Sequence, residues 1–231
     1  LKLNIKSAAP GVNLNKFDAE DIGDVLLKIE RSFDITFADE DLKEAKTFGQ
    51  LCDVVVAKVK HAQADSCTTQ QAFYKLRNAI NAKNPAEKYL VKPQTKLCEL
   101  FPRDNRIEIV ADIENEMGLH MNLLQPKPVI VWSFALLLIL SLGLFWVNTT
   151  IATVGLIISI AGLRLAGRFG KELKVKTIGD LAEKIAREHY FKCRKDAATV
   201  NRADVVQKVK GLFADYLQLA PSALTKEARF A

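Results

Sequence analysis

The chain has 231 residues and a net charge of +6, which suits one or two small domains. Its apolar share of 49% is near the globular average, so composition gives no argument for disorder. The apolar residues are clustered, however. The stretch Val129–Leu163 carries no Asp, Glu, Lys or Arg, and that run decides the class.

Residues 1–16 hold Ala-Pro-Gly and several Asn without a sustained period, so they read as a loop or a mobile lead-in. Ile22, Val25, Leu26, Ile29 and Phe33 then recur at helical spacing and define one apolar face. Asp18, Glu20, Asp21 and Asp24 crowd the first turns of that helix, where the helix dipole favours anions. The run is a candidate docking face for a basic partner, or a solvated helix start. From Phe17 to Glu44 ten acidic residues face three basic ones, so the local field is appreciable. Thr47 is a candidate N-cap for a helix reaching about His61. Ser66–Gln71 marks another helix start, with Thr68 and Gln71 at capping-box spacing and Phe73, Leu76 and Ile80 on one face. Asn84-Pro85 breaks the chain. Thr95 is positioned to cap a short helix ending near Phe101-Pro102, and a helix over 107–117 carries Ile109, Val110, Ile113 and Met117.

The charge-free run is too long for one membrane crossing, which takes roughly 20 helical residues. Asn148-Thr149-Thr150 is a polar break within it. Two spans are expected, about 128–147 and 151–168, joined by a tight turn; the alternative is a buried hairpin of a soluble core. The position, far from the N-terminus, excludes a signal peptide. Lys127 precedes the first span. Arg164, Arg168, Lys171, Lys174 and Lys176 flank the second, and the turn carries no charge. Cations stay on the cytoplasmic side, so an inner (cytoplasmic) membrane location is expected, with the N- and C-terminal parts in the cytoplasm. Residues 128–231 carry 15 Lys and Arg against 8 Asp and Glu. Attraction to anionic lipid accounts for this excess, and no motif points to a nucleic-acid partner.

Beyond the hairpin, Thr177-Ile178-Gly179-Asp180-Leu181 opens a helix to about Arg194. A last helix starts near Asn201 or Arg202, with Val205, Val206, Val209, Leu212, Phe213, Tyr216 and Leu217 as its apolar face. Strand signals are almost absent, so the class is all-α. Two pieces repeat. Ile29-Glu30-Arg31-Ser32-Phe33 parallels Ile113-Glu114-Asn115-Glu116-Met117, and Lys46-Thr47-Phe48-Gly49-Gln50-Leu51 parallels Lys176-Thr177-Ile178-Gly179-Asp180-Leu181. The hairpin fills the longer gap of the second copy, as insertions into connecting loops are tolerated.

With these pieces in place the chain resembles the acyl carrier protein family. Ile29–Phe33, then Ile35-Thr36-Phe37, Asp39-Glu40 and Thr47–Leu51 follow that family's order and spacing over roughly residues 17–61. Val205–Phe230 is similar to the family's first helix and the loop after it. The resemblance implies acyl-carrier-like helical bundle units, at 1–64 and at 103–199, the second holding a transmembrane hairpin inserted at about 128–168. A helical connector (65–102) and a C-terminal helix (200–231) complete the chain. It also implies a phosphopantetheine arm on a serine, but that position falls on Ala19 and, in the second copy, on Arg103. Neither supplies the oxygen nucleophile that the phosphodiester needs. Ser32 lies farther along the helix, and Ser222 and Thr225 match the family's loop rather than its attachment site.

The expectation is therefore a non-catalytic pseudo-carrier or docking scaffold, without cofactor. Its partners would be the lipid bilayer and, by resemblance, acyl-transfer or synthase enzymes of fatty acid or polyketide metabolism, reached through Asp18, Glu20, Asp21 and Asp24. The alternative is a true carrier whose serine lies outside this segment; only then would phosphopantetheine be the cofactor. Cys52, Cys67, Cys98 and Cys193 lack metal spacing and read as reduced thiols. His61, His120 and His189 show no catalytic or metal pairing.

Overall fold

The computed structural model describes residues 13–43, 45–59, 62–63, 67–83, 91–194 and 199–230. The helices in chain order are α1 (Ala19–Phe33), α2 (Asp39–Lys43), α3 (Phe48–Lys58), α4 (Thr68–Lys83), α5 (Leu97–Leu100), α6 (Arg106–Met117), α7 (Pro128–Gly143), α8 (Thr149–Arg168), α9 (Ile178–Glu188), α10 (Tyr190–Cys193) and α11 (Arg202–Tyr216). Four two-residue strands join them: β1 (Ala62–Gln63), β2 (Leu124–Gln125), β3 (Glu172–Leu173) and β4 (Thr199–Val200). β1 pairs with β4 in parallel and β2 with β3 antiparallel. The described chain is thus all-α, as its helical periods predict. It forms two compact units: residues up to Leu76 with those from Ala182 onward, and Arg77–Leu181.

The first unit is built on α1, α3 and α11. Val25, Ile29 and Phe33 from α1, Leu51 and Val55 from α3, and Val209 and Phe213 from α11 are all buried in one cluster. Their spacing of three or four residues puts each set on one helix face. Phe213 meets Phe48 edge to face at 5.3 Å, and Phe33 lies 4.8 Å from Tyr190. The helix set apart at the C-terminal end of the sequence therefore shares a core with the N-terminal helices. A polar cluster packs beside it. The ammonium of Lys208, 2% exposed, donates to Thr69 Oγ1 at 2.6 Å and Glu183 Oε1 at 2.9 Å. Asp204 Oδ2 accepts from the Thr68 N–H, so this carboxylate caps α4. Thr68 is the first helical residue rather than the expected cap, and its hydroxyl accepts from Arg194.

The last described segment closes on the start of α3. Phe48 N–H donates to Ala228 O at 2.8 Å and Gly49 N–H to Lys226 O at 3.0 Å. Phe230 N–H returns a bond to Lys46 O at 3.0 Å, and Thr47 bridges Arg229. The second unit makes the same bonds. Ile178 N–H donates to Thr95 O, Gly179 N–H to Pro93 O and Leu97 N–H to Lys176 O, while Thr177 bridges Lys96. The helix starts are also capped alike: Gln50 N–H bonds Thr47 Oγ1 and Asp180 N–H bonds Thr177 Oγ1. So are the ends of α1 and α6. Both stop at a left-handed residue, Asp34 or Gly118. One turn earlier, Glu30 and Glu114 accept at 2.6 Å from Phe37 N–H and Met121 N–H. The repeat legible in sequence is thus also a repeat of hydrogen bonds.

The chain order differs between the two sets. In the second unit the accepting segment, Pro93–Lys96, runs directly into α5 and α6. In the first it is Lys226–Arg229, at the far end of the chain. There Leu14 N–H bonds Arg229 O at 2.8 Å, so the start of the described chain lies where the second unit is continuous. The spacing from Lys83, the end of α4, to Thr95 equals that from Tyr216, the end of α11, to Ala228.

Three smaller expectations shift. Thr95 does not cap α5; Lys96 takes that place, and Thr95 Oγ1 accepts from Lys92 N–H. The helix expected to run to Arg194 breaks at His189, where the backbone leaves the helical region and α10 restarts. Thr149 and Thr150 belong to α8 rather than to the break, because the Asn148 side chain accepts from Thr150 and Ile151 N–H and starts the helix there. His61 and residues 1–12 lie outside the described residues.

Candidate functional site

Two places carry more than packing requires: the N-terminal end of α1, and the apolar hairpin α7–α8. Each is built within one unit.

At α1 the helix begins where its sequence asks it to. Asp18 is extended, and its carboxylate accepts from Glu20 N–H at 3.4 Å. Glu20 and Asp21 in the first turn add charge at the positive end of the dipole. Ala19, the position the resemblance assigns to a modified serine, is the first helical residue and is exposed. A surface cavity of about 420 Å³ opens beside it, lined by Leu14, Phe17, Ala19, Ile22, Leu26 and Phe230 among others. A narrower apolar one of about 160 Å³ shares Ile22, Leu26 and Phe230 and adds Leu42, Ala45 and Leu51. Around the helix, Glu20, Asp24 and Glu30 rim a third depression floored by Leu26, Leu27 and Phe37. Leu27 is 48% exposed, so the acidic face carries an apolar patch within it.

Of the four expected docking residues, Glu20 and Asp21 stand exposed, Asp18 also serves as the cap, and Asp24 is engaged. The Tyr216 hydroxyl donates to Asp24 Oδ2 at 2.5 Å, and Lys28 sits 4.0 Å above the Tyr216 ring. The bond to Asp24 pushes the Tyr216 phenol above its ordinary value. Asp41, on α2, pairs with Lys58 at 2.5 Å, and that hydrogen bond holds its carboxyl below the usual range. Sequence reading missed Tyr216 and Phe230, which come from the C-terminal part of the sequence; nothing local signals that they meet α1.

The second candidate position, Arg103, is not at a helix start. It lies in the turn before α6 and pairs with Glu172 at 2.7 Å. Ser32 is buried, donating to Arg187 O and accepting from Tyr190 N–H, so it is unavailable to a modifying enzyme. Cys52 and Cys193 are buried thiols whose pKa burial pushes up to about 12, whereas Cys67 and Cys98 are exposed. His120 lies 3.1 Å from Glu114 on the surface. Among the described residues no group of His, Cys, Asp and Glu side chains converges to hold a metal ion.

The hairpin comprises two stretches long and apolar enough to cross a membrane, Pro128–Trp146 and Thr149–Arg168. Only 6% of the first and 11% of the second is buried, whereas a soluble core helix is mostly covered. The two helices pack through small residues: Gly155 faces Ser141 and Gly162 faces the Phe134 ring. At the base, β2 and β3 pair the chain that leaves with the chain that returns. Gly170 is buried there, and a Cβ would lie 2.5 Å from Pro126 N and 2.6 Å from Gln125 O.

The chain matches no protein family, no curated protein and no solved structure.

Proposed function

We propose that this protein is a membrane-anchored, acyl-carrier-like scaffold that has lost its attachment serine and acts by docking rather than by catalysis. The observation that carries the reading is Ala19. It stands exposed as the first residue of α1, behind the Asp18 cap and beside the apolar cavities, and it has no hydroxyl. The repeated hydrogen bonds support two carrier-like units. In the first, the counterpart of the leading helix, α11, follows α1 and α3 in sequence and packs with them in one core. Glu20, Asp21 and Asp24 around Leu27 form a surface suited to a basic enzyme, since complementary charge speeds encounter. The partners would belong to acyl or polyketide-like metabolism, an assignment resting on the resemblance.

The exposed apolar hairpin serves as the anchor. Its tip, Val147-Asn148, is uncharged, while Lys127, Arg168 and Lys171 lie at its base. The positive end stays cytoplasmic, which puts both soluble parts at the inner face of the membrane.

The test is intact mass after incubating the full chain with coenzyme A and a phosphopantetheinyl transferase of broad specificity. Wild type should gain nothing and A19S should gain one arm, on the peptide containing position 19. An arm on the wild-type chain would show a true carrier. A19S left unmodified would remove the support for a carrier-like α1.

A further inference from the structure

Where α7 begins and α8 ends, the second unit holds a cavity of about 230 Å³. A water takes about 30 Å³ of liquid, so the space has the volume of about eight waters, the size of a small polar headgroup. Arg103, Lys127 and Lys171 line it, and Ile130, Ala166 and Phe169 give it an apolar side. Phe169 is 63% exposed. The acidic neighbours are few. Glu172 is taken up by Arg103 at 2.7 Å. Lys171 Nζ donates at 3.0 Å to the backbone carbonyl of Asp104 rather than to its carboxylate, and Lys127 makes no ion pair among the described residues. Lys127 is also the N-cap of α7 and supplies no side-chain acceptor to the first turn, so the positive end of a 16-residue helix adds to the field.

We infer that this cavity binds the headgroup of one anionic phospholipid. The inference rests on the hairpin spanning the bilayer, as proposed above, because that puts Lys127 and Lys171 at the headgroup level. The phosphate would sit between the two ammonium groups, and the start of an acyl chain would run along Ile130, Ala166 and Phe169. Cations spread evenly along a flank would attract anionic lipid as a diffuse layer. A half-open cavity with an apolar side instead selects one molecule.

Native mass spectrometry of the full chain in micelles containing equal phosphatidylglycerol and phosphatidylcholine tests this. One phosphatidylglycerol per chain should be retained in preference to phosphatidylcholine. K127Q/K171Q should weaken retention about 25-fold, from about fivefold per cation at an anionic surface. K127R/K171R and K174Q/K176Q should retain it. Equal loss in K174Q/K176Q, or no preference for phosphatidylglycerol, would overturn the site. Glycerol 1-phosphate bound as tightly as phosphatidylglycerol would do so too, by showing that the site takes a free phosphate and gains nothing from the acyl chain. Flotation with vesicles of phosphatidylcholine alone separates the premises. A chain that fails to float refutes the membrane-spanning reading and the site with it, whereas a chain that floats without headgroup preference refutes only the site.

Discussion

Replacing Phe213 by Ala should loosen both ends of the sequence at once. Phe213 is fully buried on α11 and touches Phe48 and Phe230, at 5.3 and 5.9 Å between ring centres. A buried phenylalanine removes about 200 Å² from water, and about 25 cal/mol per Å² makes that roughly 5 kcal/mol. Measured truncations of this kind cost about 3–5 kcal/mol, so about 4 is expected. A domain's whole stability is about 5–15 kcal/mol. Hydrogen exchange of the full chain is the assay. At about 1.4 kcal/mol per decade, protected amides should exchange on the order of a thousandfold faster. The acceleration should reach peptides 19–33 and 48–58 as well as 202–216, because these helices share one core. Acceleration confined to 202–216 would refute the idea that α11 completes the unit begun by α1.

Three further outcomes follow from individual contacts. Burial alone would raise the Glu183 pKa, but the hydrogen bond and charge of Lys208 outweigh it and hold the carboxyl below its ordinary 4.5. Its contribution to stability is therefore present above that value and lost as pH falls through the lowered one. K208M should cost about 2 kcal/mol, less than the 3–5 typical of a fully buried pair, because Glu183 is partly exposed. It should also flatten this pH dependence in urea titrations, because only Thr69 and Arg187 then remain to offset the burial of Glu183. Iodoacetamide at pH near 8 should label Cys67 and Cys98 and spare Cys52 and Cys193 until the chain is denatured; labelling of all four in the native chain would contradict their burial. G170A should destabilise the base of the hairpin by about 2 kcal/mol, the ordinary cost of overpacking, read as faster exchange at 123–126; unchanged exchange there would show that the backbone yields freely.

The helices were legible because each announces itself locally. Ile29 and Phe33 recur at helical spacing, Thr47 with Gln50 forms a capping box, and Val129–Leu163 lacks charge. Ala19 was also legible, by counting back from Ile29 and Phe33 along the resemblance. What local sequence could not give was adjacency. The aromatic contact of Phe213 with Phe48 and the bond of Tyr216 to Asp24 join residues from opposite ends of the chain. The capping of α4 by Asp204 is likewise a long-range contact, and it displaces Thr68 from the role its spacing suggested. The hairpin turn was misplaced by two residues because a polar triplet reads as a break, whereas only Asn148 is outside the helix.

The pairing of Leu124–Gln125 with Glu172–Leu173 has a practical consequence. Neighbouring antiparallel strands lie about 5 Å apart, a gap that a two-residue Asn-Gly turn closes. Everything between Gln125 and Glu172 can therefore be cut out and the ends spliced without stretching the backbone on either side. The excised portion carries its own helix cap and its own packing, so it is a cassette: a ready-made apolar hairpin to graft onto another protein that offers an antiparallel pair of strands.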